Sequence, residues 1–203
     1  LTTGSQNTAC GRSALASLTT ADNNVAVGYA ASNGTTTGAN NVAVGKSALT
    51  ANTTGYSNIA IGSSSLATNT TSFHNTAIGL EALNSNTTGY SNIAIGNLAL
   101  DANTTASNSV AVGYNALGAN TTGAQLVAIG RDALTANTTA SYNVAVGDSC
   151  LAANTTGHSN VAMGYAAMDA ITTGSEAVAI GAYALTAASG GSNVALGFKA
   201  GED

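Results

Sequence analysis

A glycine returns every seventeen residues along this chain, at Gly11, Gly28, Gly45, Gly62, Gly79, Gly96, Gly113, Gly130, Gly147, Gly164 and Gly181, with a last step of sixteen to Gly197. A fixed step held across 203 residues means that one small unit is copied about twelve times, each copy stabilised by its neighbours. The chain is therefore read as a single repeat domain, 1–203, with no room for a second. Counting the closing glycine as position 17, the unit reads x-x-Ala-Leu-x-Ala-Asn-Thr-Thr-Gly-x-Ser-Asn-Val-Ala-Val/Ile-Gly, and residues 80–96, LEALNSNTTGYSNIAIG, show it whole.

Apolar residues alternate at positions 14 and 16, as in Val42 and Val44, Ile59 and Ile61, and Ile93 and Ile95. A period of two belongs to a strand with one buried face. A helix would place the glycine and the Asn-Thr-Thr-Gly cluster in its interior, where each is unfavourable. Proline is absent, although an average chain of this length carries about ten, as expected where every segment donates backbone hydrogen bonds to a ladder. The pattern predicts an all-β fold, a parallel β-solenoid (β-roll) of about twelve 17-residue coils stacked ~4.8 Å apart into a rod roughly 55–60 Å long.

Position 15 is alanine in every copy, among them Ala43, Ala60, Ala77, Ala94, Ala111, Ala128 and Ala145. If positions 14 and 16 face the core, position 15 faces away from it, and a column that never drifts to a polar residue calls for a covering neighbour. The expectation is a homo-oligomer packed through these alanines. The alternative is that alanine is short enough to fit inside a thin coil. On the same assignment Cys10 falls in a core column at position 16 and Cys150 in the alanine column at position 3. Some 140 residues, or roughly 40 Å of stacked coils, separate the two thiols and exclude a disulfide within the chain.

Nearly all chemically distinctive side chains fall at positions 1, 2, 11 and 12, beside the turns, so recognition is expected on this rim. Tyr56, Phe73 and Tyr90 occupy position 11 of three successive coils, with His74 beside them. They form the candidate binding site, a stacked aromatic ladder that either offers a platform to a sugar ring or protein surface or merely stiffens the turn. Arg131 and Asp148 sit at position 1 of adjacent coils and form an exposed ion pair.

Charged residues make up 6% of the chain, four of them basic, and the net charge is −5. That composition gives no nucleic-acid footprint and no basic membrane-surface helix, and no apolar run is long enough to span a bilayer. His74 and His158 lie nearly five coils apart, roughly 24 Å, so they share neither a metal nor a proton. No catalytic dyad, triad, paired-cysteine motif or phosphate loop is present, and neither enzyme activity, metal nor cofactor is expected. Asn-Thr-Thr recurs at Asn52, Asn69, Asn86, Asn103, Asn120, Asn137 and Asn154. Each copy has the form of an N-glycosylation acceptor, but a single repeated column also makes seven such triplets by arithmetic.

The run Asn108-Ser109-Val110-Ala111-Val112-Gly113 resembles the Asn-Ser-Val-Ala-Ile-Gly repeat of YadA-like heads in trimeric autotransporter adhesins, with related repeats in phage tail fibres. It recurs at Asn24–Gly28, Asn41–Gly45, Asn58–Gly62, Asn92–Gly96, Asn143–Gly147 and Asn160–Gly164. The resemblance implies a left-handed roll and three chains around one axis with the Val/Ile columns facing the core. It also implies an extracellular role at a cell surface or in a virion tail fibre, bound to a host-surface protein or glycan. The longer unit here, with its Thr-Thr-Gly corner, is nearer the tail-fibre type.

The leading expectation is a non-enzymatic fibre segment, part of something longer, that attaches to surfaces or serves as a rigid shaft. Ice binding is the rival, because position 8 is threonine from Thr2 to Thr172 and position 9 from Thr3 to Thr173. A self-assembling filament is the third reading, since the chain enters mid-repeat at Leu1 and neither end looks like a polar cap.

Overall fold

The computed structural model describes residues 4–186 and 191–202. The entry at Leu1 and the first members of the two threonine columns, Thr2 and Thr3, lie outside the described residues. Within them, twelve three-residue strands run from β1 (Thr8–Cys10) through β6 (Ile93–Ile95) to β11 (Val178–Ile180) and β12 (Val194–Leu196), all in one parallel sheet in chain order. Ile93, Ala94 and Ile95 pair with Val110, Ala111 and Val112, seventeen residues on. The short last unit still pairs Val178 with Val194, so the strand register is kept across it. The chain is a parallel β-solenoid, and among the described residues no helix is long and apolar enough to cross a membrane.

Coil-to-coil hydrogen bonds continue well beyond the strands. In one coil Leu49, Ala51 and Thr53 donate forward to Ser65, Ala67 and Thr70, while Ser57, Gly62 and Ser64 donate back to Ala39, Val44 and Lys46, at 2.8–3.0 Å. The three-residue strands understate the ladder, and proline at any of these positions would break a bond to the next coil.

The corners turn through left-handed residues. Ser47, Leu49 and Ser57, at positions 2, 4 and 12, have φ of 57°, 54° and 55°, and the same three positions recur in successive coils. No valine, isoleucine or threonine occupies them in any copy, because a β-branched side chain tolerates this region worst. Position 17 is stricter: Gly62 has φ 135°, and a Cβ there would collide with the carbonyl of Gly79 in the next coil. Conformation and stacking demand glycine at the same site.

The inside of the coil corrects the expected orientation. Alanines at position 15 are buried from Ala26 to Ala195, with Ala43 through Ala145 at 0% exposure, whereas their strand neighbours Ile93 and Ile95 are 39% and 38% exposed. The alanine column faces the coil's own interior, and positions 14 and 16 face out. Ala43, Ala60, Ala77, Ala94, Ala111, Ala128 and Ala145 are thus core residues of one chain and no oligomer interface. The physical reason is volume. Position 4 sends in a leucine (Leu49, Leu66, Leu83, Leu100) and position 3 an alanine, and these pack with the strand alanines as one cluster. A coil this thin has room for one large side chain opposite the strand, so the strand contributes a methyl.

Cys10 shares the outward column and is exposed, while Cys150 is buried; both are free thiols. The expectation of a core position for Cys10 is overturned with that of its column. Burial pushes the Cys150 thiol up to about 12, so it stays protonated as a small core residue.

Two polar columns complete the interior. At position 13 the backbone amide of Asn58 donates to Asn41 Oδ1 (3.0 Å), and Asn58 Nδ2 donates to the Ser72 carbonyl (2.9 Å). Position 7 forms a second asparagine ladder. In one coil Ser32 replaces the usual leucine and Thr35 the usual asparagine, and their buried hydroxyls bond each other at 2.6 Å. A polar residue enters the core here only with its partner beside it.

Candidate functional site

Position 11 follows the buried glycine corner, so its side chain leaves the coil at the rim, and equal spacing of the coils places successive rings one above another. Tyr56 and Phe73 stack with centroids 5.0 Å apart and planes within 7°, and Phe73 and Tyr90 at 5.3 Å and 14°. His74 meets Tyr56 and Phe73 edge-on, at 5.5 and 5.1 Å. All four residues of the sequence-derived site are brought together.

The stack changes what these residues offer. Ring faces carry the attraction for a sugar ring or another aromatic, and both faces of Phe73 are already covered. The free faces are the outer ones of Tyr56 and Tyr90, each 42% exposed. The next rungs of the column are small, Ala39 beyond Tyr56 and Ser107 beyond Tyr90. Ser107 Oγ accepts the Tyr90 amide at 3.0 Å and keeps its own proton to donate. Exposed Thr105, Asn108 and Gln125 occupy the neighbouring columns, all neutral hydrogen-bonding groups. The stack therefore presents ring faces only at its two ends, above Tyr56 and Tyr90.

Elsewhere on the rim, Arg131 Nε and Nη2 donate to the two carboxylate oxygens of Asp148 at 3.0 and 3.1 Å. The paired charge and hydrogen bonds raise the Arg131 pKa and hold Asp148 below the usual carboxylate value. The Arg131 side of the pair is exposed and the Asp148 side half-buried. Among the described residues no group of three or more His, Cys, Asp or Glu is placed to hold a metal ion.

Two further surfaces stand out. Position 9 carries ten consecutive exposed threonines, Thr20 to Thr173, one per coil. Most position-8 hydroxyls are spent on the next coil, as Thr53 Oγ1 on the Thr70 carbonyl at 3.0 Å, and Thr104 on Thr121 at 3.1 Å. The other surface was missed by sequence reasoning: the outward strand face. Its positions 14 and 16 carry valine, isoleucine, leucine or methionine in every strand except for Thr8, Thr76 and Cys10, with no charge or amide along twelve strands. A signal for it was present. Thr76 sits in a column supposed to be core, where a hydroxyl without a partner is costly, whereas an outward column tolerates it.

Compared with protein-family models, with curated proteins and with solved structures, the chain matches none.

Proposed function

We propose that this chain is a non-enzymatic shaft of an extracellular attachment fibre, in which copies associate along the rod and the rim carries recognition. The observation that carries the reading is the outward face of the sheet, aliphatic in all but Thr8, Cys10 and Thr76 and free of charge. Twelve strands at ~4.8 Å expose a stripe about 53 Å long, on the order of a thousand Å² and larger than the few hundred Å² that monomeric proteins leave bare. Its valines and isoleucines repeat in register, so identical chains meet it with identical side chains over its whole length, as symmetric assembly requires. The resemblance to YadA-like heads implies three chains around one axis; its implied core-facing Val/Ile columns are not found, since these columns face out, and in this proposal they are the surface that meets the neighbouring chains. This replaces the alanine columns, which are spent inside each coil.

Recognition belongs to Tyr56, Phe73, His74 and Tyr90, with the open faces of Tyr56 and Tyr90 facing a neutral rim suited to a host-surface glycan. The test is solution mass by light scattering. The wild-type chain is expected at three times 19.5 kDa, and the Ile93→Lys, Ile95→Lys double variant at the mass of one chain with its β spectrum retained. A wild-type chain that stays monomeric at high concentration overturns the reading.

Ice binding is the second reading, favoured by the ten outward threonines at position 9, whose coil spacing gives a regular row of hydroxyls and methyls. A thermal-hysteresis measurement separates the two. Activity lost on replacing Thr88, Thr105 and Thr122 with Lys would establish it, and no activity removes it.

A further inference from the structure

The Asn-Thr-Thr triplets present a chemical contradiction. In an extended chain each is an acceptor for N-linked oligosaccharide, since it holds the asparagine and, two residues on, the threonine that such transfer requires. In the folded coil all seven asparagines, Asn52 to Asn154, are at 0% exposure. Asn52, Asn86, Asn120 and Asn154 donate Nδ2 to the carbonyl three residues on, at 2.9–3.0 Å. Asn69, Asn103 and Asn137 also donate to Oδ1 of the preceding rung, at 2.9–3.0 Å. The amide of an inner rung thus has both protons engaged inside the coil. The rung order shows at its end: Asn154 Oδ1 is buried with no partner, because position 7 of the next coil is Ile171.

Transfer of a sugar forms a bond from Nδ2 to the anomeric carbon, releases the lipid pyrophosphate that carried the sugar, and removes one amide proton. The modified asparagine loses one of its two inward hydrogen bonds, and a bulky hydrophilic group is attached where the coil has no path to solvent. We infer that N-glycosylation of these triplets and formation of the coil exclude one another, so that folding of this chain depends on its Asn-Thr-Thr sites remaining unmodified. The outcome is set by which state meets the transferase first. The inference stands on the fold and is independent of the attachment role. It assigns the repeat a chemical vulnerability in any compartment where lipid-linked oligosaccharide is transferred to unfolded chains.

The third triplet residue supplies a clean control. Position 9 is exposed in every triplet (Thr54, Thr71, Thr88, Thr105, Thr122, Thr139 and Thr156), so threonine-to-valine changes at all seven destroy the acceptor without touching the buried asparagines. The experiment presents the purified chain, native or unfolded in urea and diluted, to an oligosaccharyltransferase with a lipid-linked donor, and follows transfer by mass. Transfer to the native rod is expected to be slower by about tenfold or more, since the acceptor is reached only when a coil opens. Chains modified while unfolded are expected to stay protease-sensitive on return to native conditions. Mock-treated wild type and the sevenfold valine variant regain resistance with or without the enzyme. Transfer to the native rod at the rate seen for the unfolded chain overturns the inference, as does a modified chain that regains full protease resistance. If mock-treated chain does not refold, the native-against-unfolded transfer rate still decides.

Discussion

The two faces of a single strand are made of the same kind of side chain and do opposite work. Ala94 in β6 is sealed within its own coil, and Ile93 and Ile95 on either side of it stand more than a third exposed. The smaller residue is inside because a leucine from position 4 already fills the space. The larger ones are outside because the coil's volume leaves no room for them. Uniformity therefore has two origins in this molecule: the alanine column is uniform because anything larger does not fit, and on the proposed assembly the Val/Ile columns are uniform because a charge would be buried between chains.

A buried charge breaks the comparison most severely. Ala94→Glu is expected to cost about 3 kcal/mol or more, with no counter-charge or water in the coil, and to lower the melting temperature independently of protein concentration. A loss that vanished on dilution would mean that the alanine lies between chains. Next comes the polar interior. Asn86→Ala strands the Oδ1 of Asn69 and takes from Asn103 Nδ2 one of its two acceptors, and chemical denaturation is expected to show a loss of about 1–3 kcal/mol.

On the outer face the same kind of change should separate folding from assembly. Ile93→Ser with Ile95→Ser is expected to leave the stability of an isolated chain within about 0.5 kcal/mol while reducing the solution mass. At the rim, Ser107→Tyr should extend the aromatic ladder by a rung, leave the fold unchanged and block any ring that stacks on Tyr90. A glycan-array signal unaffected by this variant and by Ala39→Tyr would move recognition away from the ladder.

The smallest effect concerns titration. Burial raises the pKa of Asp101, with the Glu81 charge adding to it, so its ionised form costs stability at neutral pH, and the cost is relieved as pH falls through the raised value. Asp22, bonded by the Ser5 amide and hydroxyl, and Asp148, bonded by Arg131, are held below 3.8. Their contribution is present above that value and fades as pH falls through the lowered ones. Asp101→Asn should accordingly raise the melting temperature slightly at pH 7, with the difference gone at pH 3.

Much of the architecture was legible because repetition averages away local ambiguity. Twelve copies of x-Ala-x-Gly, with valine or isoleucine on both sides of the alanine in most of them, locate every strand, and the step of seventeen gives the register that pairs Ile93 with Val110. The ladder of Tyr56, Phe73 and Tyr90 followed from equal position numbers alone. Its open outer faces and the covered faces of Phe73 did not, since they depend on ring planes. The left-handed corners at positions 2, 4 and 12 were written in the sequence as an absence of β-branched residues, a quieter signal than the glycines. Burial of Asn52 to Asn154 was illegible locally, because Asn-Thr-Thr reads as surface wherever no neighbouring rung is available to satisfy the amide.

The sequence by itself determined the period, the strands, their parallel stacking and the grouping of side chains into columns, since all of these follow from spacing. It could not assign an inside to those columns. A period of two defines two faces of a strand and is unchanged when they are exchanged. That choice was made by the closed coil, where left-handed corners turn Leu49 and its equivalents inward against the strand, leaving space for the alanine methyl and sending valine and isoleucine to the outer face.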